Sequence, residues 1–143
     1  MKSLRSSISV FALVALVLAM LCSCIGQASD GKDPWEDAVY KEDTVIGEGA
    51  ITVYVEVKVN ENSVTLTVNT DKNILGDALL ENGIIEGEDG AYGIYIKKVN
   101  GILADYDIDA SYWGFYKDGE YMMSGVDSTE IFGGEHYELV YTK

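Results

Sequence analysis

The chain has 143 residues, the length of one domain of ordinary size, and a formal net charge of −14 at pH 7. Because so acidic a chain repels phosphate backbones, nucleic acid is excluded as an expected partner. Both cysteines lie close to the N-terminus, so disulfides and cysteine-based redox or metal chemistry are not expected in the rest of the chain. An acidic surface is compatible with a cationic ligand or a metal ion, but it is more often simply a well-solvated surface.

The N-terminal residues have the pattern of an export signal. Two basic residues precede an unbroken apolar run from Val10 to Cys22, which is shorter than the membrane span of about 20 residues. The segment Leu21-Cys22-Ser23-Cys24 resembles the bacterial lipobox. We therefore predict a lipoprotein signal peptide over residues 1–23 and a lipid anchor on Cys24, which places the protein on the outer face of the bacterial cell membrane. An uncleaved helical anchor and a secreted protein without an anchor are the alternatives.

A polar, acidic segment follows the candidate lipid site. It contains the only proline of the chain, and its composition is typical of a spacer. We predict that residues 24–50 form the lipidated cysteine and an acidic linker. Trp35, Val39 and Tyr40 are apolar exceptions that would dock on the folded domain as a short first segment.

The pattern from Ile51 onward predicts one mainly β domain over residues 51–143. Apolar and polar residues alternate strictly in Ile51–Val59 and again in Val64–Val68. Such alternation is typical of strands with one buried face, and the two runs read as a hairpin.

The hydrophobic period then changes to that of a helix. An apolar stripe between residues 74 and 79 predicts a helix of about three turns. Thr70 or Asp71 is its candidate N-terminal cap, and Asn82-Gly83 is its candidate left-handed stop.

Short strands complete the predicted domain. Asn100-Gly101 and Asp118-Gly119 are tight-turn signals, and each joins two of these strands. The predicted strands are residues 92–99, 102–104, 112–116, 121–123 and 136–142. The fold class is therefore α+β, with a mainly antiparallel sheet of five to seven short strands packed on one helix.

The order of these motifs resembles the transcobalamin-like C-terminal domain family. An Asn-Gly turn, a Tyr-Trp strand, an Asp-Gly turn, a Gly-Val-Asp loop and a Gly-Gly-Glu turn follow one another in VNGILADYDIDASYWGFYKDGEYMMSGVDSTEIFGGEHYELVY, residues 99–141. The upstream hairpin and the segment ILGDALLENG extend the resemblance to residues 51–143. The resemblance implies a β-grasp-like domain that takes part in binding a soluble ligand.

In eukaryotic B12 carriers, a domain of this family closes over one face of cobalamin while a larger helical domain holds the other face. Only the predicted signal and spacer precede Ile51 here, so we do not expect a complete carrier clamp. The resemblance therefore implies a cobamide-like molecule as one candidate ligand, with a transporter or surface protein as the partner that completes the site. Analogy of fold does not by itself identify the ligand.

The segment SYWGFYKDGEYMMSGVD, residues 111–127, is rich in aromatic residues. On a strand, Trp113 and Phe115 point to one side and Tyr112 and Tyr116 to the other. We expect the first pair in the core and the tyrosines on a contact surface, since a phenol offers a broad apolar plane and a hydroxyl. An ordinary solvated strand face is the alternative. The candidate ligand-binding residues are Tyr92, Tyr95, Tyr112, Trp113, Tyr116 and Tyr121.

Asp105, Asp107 and Asp109 are the candidate metal ligands. If this segment is extended, its period of two places all three carboxylates on one side, which suits a hard cation such as calcium. The spacing is not that of an EF-hand, because Ala110 stands where that loop needs glycine. A solvated acidic loop is the alternative.

No motif of the chain supports catalysis. The single histidine, His136, stands beside a glutamate in a predicted strand, and no glycine-rich phosphate loop precedes a helix. We expect a non-enzymatic exported lipoprotein that binds a soluble small ligand at the cell surface. A calcium-type metal-binding module and a protein-interaction or adhesion module are the alternative functions.

Overall fold

A computed structural model describes residues 31–143 of the chain, and Asp33–Lys143 form one compact unit. The predicted signal peptide and Cys24 lie outside the described residues. Within residues 31–143, no helix is long and apolar enough to cross a membrane.

The described part of the chain forms short helices and nine strands. The strands are β1 (Thr44–Ile46), β2 (Ile51–Val59), β3 (Asn62–Thr70), β4 (Ile85–Gly90), β5 (Gly93–Val99), β6 (Ile102–Leu103), β7 (Tyr112–Lys117), β8 (Glu120–Tyr121) and β9 (His136–Thr142). The α-helices are α1 (Leu75–Glu81) and α2 (Tyr106–Asp109), and 3-10 turns cover Pro34–Asp37 and Val126–Ser128.

Six of the strands form one mixed sheet, in the order β1-β3-β2-β9-β7-β8. β2 and β3 are the predicted hairpin, paired antiparallel along their whole length. β9 lies between β2, to which it is parallel, and β7, to which it is antiparallel. Leu139 is thereby the neighbour of both Val57 and Phe115, and the last strand along the chain occupies the middle of the sheet.

One face of this sheet forms the core because the strands alternate as the sequence predicts. The inward valines of β2, Val53, Val55, Val57 and Val59, are fully buried. Leu75, Ala78 and Leu79 of α1 are buried as well, in the same cluster of core residues. The short helix thus contributes its apolar stripe to the core of the sheet, as expected from the change of period.

The remaining three strands form a second sheet, in the order β4-β5-β6. Ile84, Ile85, Val99 and Ile102, at the ends of these strands, belong to the same core cluster. β4 was not predicted, because its sequence IEGEDG has only one buried residue, Ile85, and otherwise reads as a solvated acidic loop. The strand exists through backbone pairing with β5, which leaves no mark on side-chain pattern.

The predicted start of α1 was wrong, while its predicted end is confirmed. The helix begins after Ile74, which has no side-chain capping bond. Both candidate caps are engaged elsewhere: the Thr70 hydroxyl accepts from the Lys72 N–H at 3.0 Å, and the Asp71 carboxylate accepts from the Ala50 N–H at 2.9 Å. With seven residues the helix has two turns, not three. Gly83, at φ 65°, follows the last turn in the left-handed conformation.

The folded domain begins before residue 51, so the predicted linker over residues 24–50 is too long. β1 pairs with β3 in parallel. The main chain of Tyr40 exchanges two 2.8 Å hydrogen bonds with the side chain of Asn100, and the Val39 N–H donates to the Asn100 carbonyl at 2.9 Å. Trp35 and Tyr40 pack against the core, as predicted for a docking segment, whereas Val39 is exposed.

The α+β class is confirmed. Most strand pairings are antiparallel, as predicted, but the strands are divided between two sheets, and the β1–β3 and β2–β9 pairings of the larger sheet are parallel. The parallel pairing of β2 with β9 joins residues about 80 positions apart, and no local pattern in the sequence indicates such a pair.

Candidate functional site

Six aromatic side chains line one cavity of about 320 Å³, which we call the aromatic cleft. They are Tyr92, Tyr95, Tyr112, Trp113, Phe115 and Tyr121. They come from β5, β7, β8 and the turn before β5, so both sheets contribute to the cleft. None of the residues that line the cleft has a charged side chain.

The cleft has a buried floor and an exposed rim. Trp113 and Phe115 are each 8% exposed and Val126 is 2% exposed, so they are part of the core as well as of the cleft. Tyr92 and Met123, in contrast, are 98% and 94% exposed. A bound molecule would therefore rest on rigid core side chains and cover aromatic and thioether groups that now face water.

The cleft lies where β8 stops. β8 pairs only with Tyr116 and Lys117, and a single further bond joins the Met122 N–H to the Phe115 carbonyl at 2.9 Å. Before Phe115, β7 therefore lacks a strand partner on its side away from β9 among residues 31–143. The chain after β8 turns away and supplies Met122 and Met123 to the wall of the cleft instead.

The Gly-Val-Asp motif at residues 125–127 fixes this wall. The Asp127 carboxylate accepts from the Ile94 N–H of β5 at 3.2 Å. It lies so close to Gly93 that a Cβ atom there would be 2.5 Å from its oxygen, and Gly93 also has φ of 107°. Val126 is buried between these contacts and the core. One carboxylate thus ties the loop to β5, and both segments supply residues to the lining.

Five of the six predicted ligand-binding residues meet at the cleft, and Tyr116 does not. Its ring lies over Gly114 and makes an edge-on contact with Tyr121, with 5.4 Å between ring centroids. Sequence reasoning missed Ile94 and Ile96 and assigned Phe115 to the core alone. Tyr112 and Trp113 point to opposite sides of β7 as predicted, and the open edge of the strand lets both line the same cavity.

Trp113 contains a buried polar group without a partner. Its indole Nε1–H donates no hydrogen bond within the described part of the chain. The ring packs edge-on against Tyr141, with 5.6 Å between centroids. An unpaired buried donor costs roughly 1–3 kcal/mol, a cost that the packing of this large ring has to offset.

The three candidate metal ligands do not form a common site. The condition for a shared site is not met, because the segment is not extended: Tyr106–Asp109 form the helical turn α2, which ends at Ala110 with φ of 61°. The Asp105 carboxylate caps this turn by accepting from the Asp107 N–H at 3.0 Å. Nowhere in residues 31–143 do three or more acidic, histidine or cysteine side chains converge so that they could hold a metal ion.

Two of these three carboxylates form ion pairs, each with a different lysine. Asp105 lies 3.6 Å from Lys97, and Asp109 lies 2.9 Å from Lys143. The hydroxyl of Ser111 and then Lys143 lower the pKa of Asp109 to about 2 by hydrogen bonding to its charged form. Two of the three carboxylates therefore have a lysine beside them, which reduces the repulsion that a cation would otherwise relieve.

The other charged groups of the large sheet lie away from the cleft. Lys58 binds Glu138 at 2.5 Å and, through this hydrogen bond, lowers the pKa of Glu138. His136 Nε2 is 3.5 Å from Glu56 Oε2 on the same outer face, without a nucleophile in the contacts of either residue. These contacts are ion pairs on the outer face of the large sheet, where Lys58 and His136 are partly exposed and Glu138 is only 8% exposed.

Comparison with known proteins finds one family model that matches part of the chain and two solved structures that are similar to it. Residues 72–142, which include every residue of the cleft, match the model of DUF4430, described as a domain of unknown function. A protein of Ruminococcus gnavus ATCC 29149, described as a "putative metal binding protein", has a TM-score of 0.61 and 27% identity, and the match covers 66% of this chain and 98% of that chain. Haptocorrin in complex with Cbi has a TM-score of 0.49 and 27% identity, over 65% of this chain and 25% of haptocorrin, so this chain spans about a quarter of haptocorrin's length. No curated protein sequence matches the chain.

Proposed function

We propose that this protein is a non-enzymatic, lipid-anchored protein that binds a small soluble organic ligand in the aromatic cleft, outside the cell. The observation that supports this function is the convergence of six aromatic side chains on one cavity of about 320 Å³. Ligand pockets in proteins have volumes of roughly 300–1,000 Å³ and are lined mostly by apolar and aromatic side chains with a few polar groups. Here the phenol hydroxyls of the rim supply the polar groups.

The exposure of the rim favours a binding role over a purely structural one. Single exposed aromatic residues are normal on protein surfaces, but a contiguous exposed group beside a cavity is typical of a contact site. Tyr92, Tyr121 and Met123 contribute little to the core in their present positions. Fully burying a large apolar side chain gains roughly 1.5–3 kcal/mol, so a ligand that covers even part of the rim gains useful affinity.

A cobamide-like molecule is the first candidate ligand, because the motif order over residues 99–141 resembles transcobalamin-like C-terminal domains. The volume of the cleft, about 320 Å³, is at the low end of the range for ligand pockets. A molecule as large as a corrinoid would therefore place only one part in the cleft. This proposal includes a transporter or surface protein that covers the remainder of such a ligand.

Metal binding is the second candidate, favoured by the description of the Ruminococcus gnavus protein. The carboxylates of the described residues do not support it by their positions, since no three of them converge. We therefore treat calcium as an alternative ligand to be tested on the whole protein, without assigning residues to it.

A thermal-shift experiment on the purified 143-residue chain tests the function. The arms are cobalamin, cobinamide, calcium chloride and EDTA. A ligand at a hundredfold excess over its dissociation constant adds about 2.7 kcal/mol to the free energy of unfolding, which raises the melting temperature of a domain of this size by several degrees. We expect this shift with a corrinoid and none with calcium.

Paired variants assign the binding to the cleft. Tyr112→Ala removes a half-exposed ring from the cleft and is expected to weaken corrinoid binding about tenfold, which corresponds to about 1.4 kcal/mol. Tyr54→Ala is the matched control and should bind as the parent does, because Tyr54 is as exposed as Tyr112, at 39%, and lies on β2 outside the cleft. Equal affinities of the two variants, or a thermal shift with calcium alone, would contradict the proposal. A flat result in every arm would turn the search to a protein partner at the sheet edge.

The lipid anchor is proposed from Cys24 and has its own test. Cys24→Ser removes the thiol that would bear the lipid, so expression in a bacterial host should yield a protein without palmitate label and without membrane association. Cys22→Ser is the control, and it should retain both properties. Loss of label in Cys22→Ser alone, or retention in both variants, would show that Cys24 is not the lipid-bearing residue.

A further inference from the structure

We infer that the aromatic cleft selects an organic cation, a molecule or group of the quaternary or tertiary ammonium class with an apolar surface. This inference rests on the proposed function, because it takes the same cleft as the binding site, and it competes with the cobamide candidate, since a corrinoid carries no ammonium group. Three observations support it: aromatic rings line the cleft, no lining residue is charged, and acidic residues lie beside the lining.

The rings provide the attraction. The face of an aromatic ring carries negative electrostatic potential, and a cation within about 6 Å of its centroid is attracted, most strongly by tryptophan and then by tyrosine and phenylalanine. The cleft contains one tryptophan, four tyrosines and one phenylalanine. Met122 and Met123 add polarisable sulfur atoms to the same lining. Several rings around one cavity are the arrangement in which proteins bind ammonium groups that cannot donate hydrogen bonds.

The lining also lacks any group that would favour an anion. No lysine, arginine or histidine lines the cleft. The two lysines of β5 are held by carboxylates: Lys97 lies 3.4 Å from Glu88 and 3.6 Å from Asp105, and Lys98 lies 3.2 Å from Glu86. A positive ligand therefore meets no unpaired basic group on the strand that forms one wall.

Carboxylates just outside the lining supply a negative field. Asp127 is fixed between Gly93 and Gly125, and Gly125 is itself a lining residue. Its carboxylate accepts one backbone hydrogen bond, from Ile94, and it remains exposed. The whole chain carries a net charge of −14. Such a field raises the local concentration of cations and repels anions.

The apolar character of the lining distinguishes organic from inorganic cations. A compact metal ion is strongly hydrated and loses that water only to oxygen or nitrogen ligands, which do not converge in residues 31–143. An ammonium group covered by methyl groups gives up its hydration more easily and can contact rings directly. The cleft therefore suits the second kind of cation.

Isothermal titration of the purified 143-residue chain in a non-ionic detergent tests this inference. Choline is the charged probe, and 3,3-dimethylbutan-1-ol, which has nearly the same shape without the charge, is the matched neutral probe. We expect choline to bind at least about tenfold more tightly, equivalent to about 1.4 kcal/mol. Raising the sodium chloride concentration should weaken choline binding, because salt screens the field of the acidic residues, and leave the alcohol unaffected.

Two substitutions separate the effect of the rings from that of the apolar volume. Tyr95→Leu and Tyr112→Leu keep an apolar side chain but remove a π face, so each should reduce the preference for choline several-fold with little change for the alcohol. Tyr54→Leu, on β2 outside the cleft, should preserve the preference. This result would not follow from a merely structural role of the tyrosines.

The two proposals fail in different ways. Equal binding of the two probes, or absence of choline binding in a protein whose corrinoid shift depends on Tyr112, would overturn the cation class and leave the function of the cleft standing. Absence of binding by choline, the alcohol and both corrinoids would overturn both proposals. Choline binding that persists unchanged in Tyr95→Leu and Tyr112→Leu would also overturn the inference, because the cation would then bind elsewhere.

Discussion

Replacing Leu139 by alanine is expected to lower the free energy of unfolding by roughly 2–5 kcal/mol, the range for large-to-small substitutions in a packed core. Leu139 is fully buried, at the centre of β9. Its strand neighbours are Val57 of β2 and Phe115 of β7, so the side chain joins the two halves of the sheet. The loss includes both the transfer of the removed methyl groups and the cavity left in a region fixed on both sides.

Val140→Ala is the matched control for this prediction. Val140 is the next residue of the same strand, but it lies on the outer, half-buried face of the sheet. We expect a loss of about 1 kcal/mol or less there. Urea denaturation of both variants, followed by circular dichroism, measures the two changes. Equal losses would mean that the core does not lie on the face assigned to Leu139.

Replacing Asn100 by alanine is expected to cost about 2–4 kcal/mol, from two separate sources. The side chain, 2% exposed, makes two 2.8 Å hydrogen bonds with the main chain of Tyr40. These bonds hold the segment around Tyr40 on the turn between β5 and β6, and alanine cannot replace them. The backbone at Asn100 also has φ of 50°, a conformation that disfavours alanine.

Asn60→Ala isolates the second source. Asn60 stands in the β2–β3 turn with φ of 54°, almost the same as Asn100, but it is exposed. We expect only the backbone cost there, about 1–2 kcal/mol. Denaturation curves of the two variants give the difference, and protease sensitivity of residues 33–43 reports release of the segment in Asn100→Ala. If Asn60→Ala is as destabilised as Asn100→Ala, the bonds to Tyr40 contribute nothing.

The strands with strong alternation could be predicted from the sequence, because one face of each is buried. The β2–β3 hairpin and β9 lie where the pattern places them, with β9 at His136–Thr142 in both. β4 could not be predicted, because its side chains are exposed apart from Ile85 and only its backbone pairs with β5. α2 was missed for a related reason: its turn is held by the N-cap Asp105 and by a hydrogen bond from the Ser111 N–H to the Asp109 carboxylate, and alternate aspartates give no helical stripe.

The aromatic cleft could be predicted in its residues but not in its shape. Tyrosines on β5 and on β7 belong to different sheets, and their distance depends on how the sheets pack. Nothing in the sequence distinguishes Tyr112, Tyr116 and Tyr121. In the structure, where β8 pairs with only two residues of β7, Tyr112 and Tyr121 line the cavity and Tyr116 does not. The role of Asp127, which binds the main chain of β5, depends on a contact 33 residues away along the chain.

The central place of β9 governs the order in which the domain can fold. Until residues 136–142 have been synthesised, the β2–β3 hairpin and β7 have no strand to join them, and the valine face of β2 lacks the packing of Tyr137 and Leu139. Closing the loop between β2 and β9 orders about 80 residues at once, which slows folding relative to a chain of local contacts. The nascent chain therefore stays without its tertiary core until its last strand is made. The export that we propose requires an unfolded chain, and this delay would favour it.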